Sequence, residues 1–182
     1  FAHDSETQNY VELEGGGKAA FAALIAGGAY APFWWDVRIF KPGEVEEVTI
    51  RFKPDGAPNG FGRRLPETYV RDAATKALDA AAARALAEQR AALQWQVDLA
   101  PYAILEQSQQ KRPTGRVDHT FVYERPERLG DARVRLRLAV AGDELVGIAP
   151  YVHVPEAFER RFRELRSAND MIAGVATVSA GV

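Results

Sequence analysis

The chain has 182 residues, of which 47% are apolar and 26% charged, so it belongs with folding globular sequences and not with the low-hydrophobicity, high-charge disordered class. Lys plus Arg number 23 against 25 Asp plus Glu, a formal net charge of -2, which supplies no basic field for a phosphate backbone and argues against nucleic acid as a partner. Cysteine is absent, which removes disulfides, thiolate nucleophiles and Cys-based zinc sites together.

In chain order, Asn9 to Leu13 reads as a short strand, broken by Gly15, Gly16 and Gly17. The apolar run Ala19 to Ala26 reads as a helix, ended by Gly27 and Gly28. From Phe33 to Phe40 alternation puts Trp35, Val37 and Ile39 on one side of a strand and Trp34, Asp36 and Arg38 on the other. Pro42-Gly43 turns the chain into a second strand, where Val48, Ile50 and Phe52 alternate with Glu47, Thr49 and Arg51, and Pro54-Asp55-Gly56 turns it again. Asp79 is placed to N-cap an Ala-rich helix to about Leu93, with Ala82, Leu86 and Leu93 on its apolar face.

Strand character returns at Trp95 to Leu99 and at His119 to Tyr123. The run ARVRLRLAV then alternates cleanly, with Val134, Leu136, Leu138 and Val140 inward and Arg133, Arg135 and Arg137 outward, as in an antiparallel sheet with one wet face. Gly142-Asp143 leads into a strand over Leu145 to Val154, and Pro155 starts a last helix. Its Phe158, Phe162 and Leu165 share one face, ringed by Arg160, Arg161, Arg163 and Arg166. Met171 to Val182 carries no charge, but at about 12 residues it falls short of the roughly 20 that span a bilayer, which suits the first half of a transmembrane helix or a small-residue core helix.

Two stretches share one order of signals: strand, Pro-containing turn, strand, Gly/Asp turn, strand, then Pro66-Glu67 or Pro155-Glu156. The expected class is therefore α+β, two repeats of a helix packed on an antiparallel β-meander. Residues 1–67 form the first repeat, 68–156 the second with its leading helix, and 157–182 an amphipathic helix leading into the start of a transmembrane segment. The Ala-rich helix precedes the second meander, so the first repeat's equivalent is expected upstream of Phe1. Phe1 itself, with no signal-like stretch after it, reads as an internal cut point or a processing site.

Catalytic patterns are sparse. The three histidines, His3, His119 and His153, lack the i, i+4 helical spacing of a zinc site, although His119 and His153 both fall in strands and could meet across a sheet. Ser5, Ser108, Ser167 and Ser179 lack a Gly-x-Ser-x-Gly elbow, and the glycine clusters lack the Lys-Ser context of a phosphate loop. No catalytic residue, metal or cofactor is assigned. The aromatics carry more information: alternation cannot bury both Trp34 and Trp35, so Trp34, Trp35, Phe40, Phe121 and Tyr123 are the candidate binding residues, either an inter-repeat contact or a partner patch.

The stretches VELEGGGKAAFA, RPTGRVDHTFVYERP and YVHVPEAFERRFRELRSAN resemble the soluble insert of bacterial CPBP-type intramembrane metalloproteases, relatives of the Abi and CAAX-prenyl-endopeptidase group. The resemblance implies a duplicated fold of the PepSY or cystatin-like kind joined to a multi-helix membrane protease. The family's Glu-Glu-x-x-x-Arg motif finds only a decoy in Glu46, Glu47 and Arg51, within an alternating strand, and no catalytic residue carries over.

The implied function is a non-catalytic regulatory or substrate/partner-binding domain, adjacent to the membrane at its C-terminal end. Its partners would be the parent's own transmembrane part and a protein or peptide substrate. An extracytoplasmic side is expected, since long domains translocate regardless of the arginines that otherwise favour the cytoplasm. Two alternatives stand beside it: an apolar small-ligand binder lined by Trp35, Phe52, Phe121 or Leu138, and a small cone-shaped α+β enzyme using His119 as base.

Overall fold

A computed structural model describes residues 2–70 and 77–164. The chain runs β1 (Ala2–His3), α1 (Ser5–Leu13), α2 (Gly17–Ala26), β2 (Phe33–Phe40), β3 (Glu47–Phe52), β4 (Pro58–Arg64), α3 (Ala80–Trp95), β5 (Ala103–Lys111), β6 (Val117–Leu129), β7 (Ala132–Ala141) and β8 (Glu144–His153). A further helix, α4, is described over 156–164. Among the described residues all strand pairs are antiparallel, and eight strands form one sheet in the order β1-β2-β3-β4-β8-β7-β6-β5. The α+β class with antiparallel meanders stands. The meanders β2–β4 and β5–β8 meet last strand to last strand, through the pairs Phe61↔Ile148 and Gly62↔Gly147.

Alternation decides which sheet face is covered. Val134, Leu136, Leu138 and Val140 on β7 are all buried, as their spacing predicts, beside Phe121 and Tyr123 on β6 and Ile148 on β8. α3 lies over them through Ala83, Ala87 and Ala91, small side chains four apart that bring the helix close to the sheet. Asp79 N-caps this helix as expected, its carboxylate accepting from the Ala82 N–H at 2.8 Å. Of the expected Ala82, Leu86 and Leu93, Leu86 packs partly buried against this core, whereas Ala82 is exposed, Leu93 is 75% exposed, and Ala83, Ala87 and Ala91 take the buried stripe. At the far end of the same sheet face, Tyr10, Val11 and Leu24 of α1 and α2 and Phe158 of α4 bury Leu129, Ala132, Val134 and Val152.

Three local readings change. Residues 9–13 belong to α1, because Asp4 caps it (Thr7 N–H to Oδ1, 3.0 Å) and Thr7, Tyr10 and Val11 fall at i, i+3 and i+4 on its buried face. α1 and α2 precede the first meander within this chain. Trp95 to Leu99 is not a strand: α3 runs to Trp95 and stops at Gln96, whose φ of 56° is left-handed. The strand there is β5, further along. Leu165, Arg166 and Met171 to Val182 lie outside the described residues.

Candidate functional site

The first candidate surface is the β2–β3 hairpin. Its register, Trp35↔Phe52, Val37↔Ile50 and Ile39↔Val48, lines six apolar side chains along one face. That face continues the one covered by α3 further along the sheet, yet Trp35 is 51% and Ile39 58% exposed, and Val37 is exposed as well. On the opposite face Trp34 is half-buried, its indole N–H donating to Asp36 at 3.1 Å while the Arg51 guanidinium lies 4.3 Å above its ring. Arg38 grips Glu47 with two hydrogen bonds of 2.6 Å, which holds the Glu47 carboxyl below the usual carboxylate range. Phe40, also exposed, lies 4.9 Å from the Arg38 guanidinium. These ladders fix the hairpin's register, so its apolar face is a defined surface.

Of the five candidate binding aromatics, Trp34, Trp35 and Phe40 lie on this hairpin and the other two on β6. Phe121 is fully buried under α3, and Tyr123 is buried with its hydroxyl donating to Glu88 at 2.9 Å; burial first, and that hydrogen bond second, push the phenol well above its ordinary range. Nor do Trp35, Phe52, Phe121 and Leu138 surround one cavity, because β4 and β8 separate the first pair from the second.

His119 and His153 do not meet. They pair with Val140 and Arg133 respectively, seven residues apart on β7, or roughly 23 Å at strand rise. His119 is buried, its Nε2 3.0 Å from the Leu78 carbonyl, which makes Nε2 the donor and leaves Nδ1 without a partner. The decoy residues also disperse, Glu46 to Arg63, Glu47 to Arg38 and Arg51 to Asp36. Among the described residues no group of three or more His, Asp or Glu side chains converges as a metal site would require, and no helix is long and apolar enough to cross a membrane.

The second surface was not legible in the sequence. On the sheet face opposite α3, a groove of about 680 Å³ runs along the β4–β8 seam. Gly62, Gly147, Ala139 and Ala149 line it with little or no side chain, Thr49 and Thr120 add hydroxyls, and Arg64 and Arg137 stand among its lining residues. Only the spaced glycines Gly60, Gly62 and Gly147 hinted at it, and their meeting depends on a pairing between strands from different halves of the chain. No family model, curated protein or solved structure matches this chain.

Proposed function

We propose that this chain is a non-catalytic regulatory and partner-binding domain of a membrane-embedded CPBP-type metalloprotease, held on the extracytoplasmic side. In this reading the two meanders are duplicated PepSY- or cystatin-like units, α1 and α2 preceding the first in sequence and α3 the second, although α1 and α2 pack on strands of the second. The observation that carries the proposal is the hairpin: Val37 and Ile39 face solvent on a strand whose register is locked. An apolar sheet face left open beside a covered one marks an interaction surface. Its occupant is the transmembrane part of the parent, whose apolar helices supply the matching surface, in keeping with the uncharged run from Met171 to Val182.

The test uses the full-length parent in proteoliposomes with a membrane-embedded reporter substrate. Deleting the domain, and separately introducing Val37→Thr with Ile39→Thr, should both change the cleavage rate in the same direction. An unchanged rate in both would overturn the proposal.

A further inference from the structure

We infer that the groove along the β4–β8 seam seats an extended peptide segment bearing carboxylates. This deepens the reading of the domain as a binding module, although the groove lies on the face opposite the hairpin's apolar side chains. Three observations converge on it: an open volume, two uncommitted cations and a glycine that the fold does not need.

The cations come first. Arg51 is engaged by Asp36 and Trp34, and Arg63 by Glu46 and Glu144. Among the described residues Arg64 and Arg137, both exposed and both lining the groove, have no ion pair. Glu47, which also lines the groove and interacts electrostatically with Arg64, is already clamped by Arg38. Two guanidiniums, one contributed by each meander, therefore offer unspent fork-shaped donors to a carboxylate.

Gly62 supplies the second half of the argument. Its backbone lies outside the left-handed region, and a Cβ built on it would meet nothing within 4 Å. Neither conformation nor crowding calls for glycine there. Glycine inside a strand weakens it, so an unforced one marks a place where another backbone comes close. Gly60 differs, because a Cβ there would lie 2.4 Å from the Ile148 carbonyl, and the seam itself requires it. Gly62 faces Gly147 across the seam, which leaves a bare floor between the two arginines. A floor of backbone and small side chains, with two hydroxyls and two cations at its walls, fits a slender extended chain with acidic side chains. A lipid headgroup would leave most of that floor uncovered.

The experiment measures fluorescence anisotropy of a fluorescein-labelled hexapeptide of alternating Glu and Ala, with the Gln-Ala peptide as control. Saturable binding of the Glu peptide, weakening as salt rises, is expected. Arg64→Glu and Arg137→Glu should each weaken it by about tenfold. Gly62→Leu should abolish binding while the melting temperature holds or rises, so that loss of binding cannot be loss of fold. Val37→Thr with Ile39→Thr should leave peptide binding intact, which separates failure of this inference from failure of the hairpin reading. Equal binding of the Gln peptide, undiminished binding by Gly62→Leu, or arginine-dependent binding only to phosphatidylglycerol vesicles would each overturn it.

Discussion

The Tyr10 hydroxyl accepts a hydrogen bond from the backbone N–H of Ala132 at 3.2 Å and a second from Asp131 at 2.9 Å, tying the first helix of the chain to the β6–β7 turn. Its ring also meets Phe158 of α4 edge-on at 5.0 Å. One buried side chain thus fastens α1, the central sheet and α4. Tyr10→Phe keeps the ring and removes the acceptor that both N–H groups use. We expect a loss of about 0.5–1.5 kcal/mol in urea unfolding, the net worth of an ordinary intramolecular hydrogen bond.

Gly130, beside that contact, is glycine for a reason opposite to that at Gly62. Its φ is +59°, and a Cβ there would lie 2.8 Å from the Glu14 carbonyl and 2.9 Å from the Tyr10 hydroxyl. Gly130→Ala combines left-handed strain with a backbone clash, and should cost about 1–2 kcal/mol or more. A change below about 0.5 kcal/mol, the usual span of a neutral surface substitution, would show that the α1 C-terminus does not press on this turn.

Glu6 in α1 should make stability depend on pH. Burial raises its pKa first, followed by a hydrogen bond to Glu159 of α4 and the negative charges of Glu159 and Asp4, with Arg163 opposing. A carboxyl whose folded pKa exceeds its unfolded value holds its proton more tightly when folded. Its contribution is favourable below the unfolded value and is lost as pH rises through the folded one. Glu6→Gln should therefore raise the melting temperature at pH 7, and the gain should vanish on acidification below about pH 4. A gain that persists at low pH would assign the effect to packing rather than charge.

The legible parts of the fold are those where burial and sequence period agree. β7 alternates Arg with Val and Leu because one face is buried and the other wet, and Asp79 marks its helix because an N-cap needs a short acceptor. β5 was missed because it is an edge strand exposed along its whole length, so nothing forces ILEQSQQK to alternate. In α3 side-chain size misled: Leu93 suggested the buried face, whereas close approach to the sheet selects Ala83, Ala87 and Ala91. Phe121 and Tyr123 looked available only because the sequence does not say which strand a helix will cover. The groove was hidden for a related reason, since the strands at its seam pair Gly62 with Gly147 and Phe61 with Ile148, far apart in sequence.

Exposed apolar residues on the hairpin give the last prediction, because folding and docking make opposite demands on them. Val37 and Ile39 each keep about half their surface in solvent, so the fold gains little from their methyl groups. Replacement of both by Thr preserves β-branching and strand preference, and the bidentate Arg38–Glu47 pair still pins the register from the other face. Unfolding free energy should change by less than about 1 kcal/mol, while binding of an apolar surface probe such as ANS to the isolated domain should fall. If the double variant instead unfolds, or keeps its full probe signal, the apolar face belongs to the domain's own core and not to a partner.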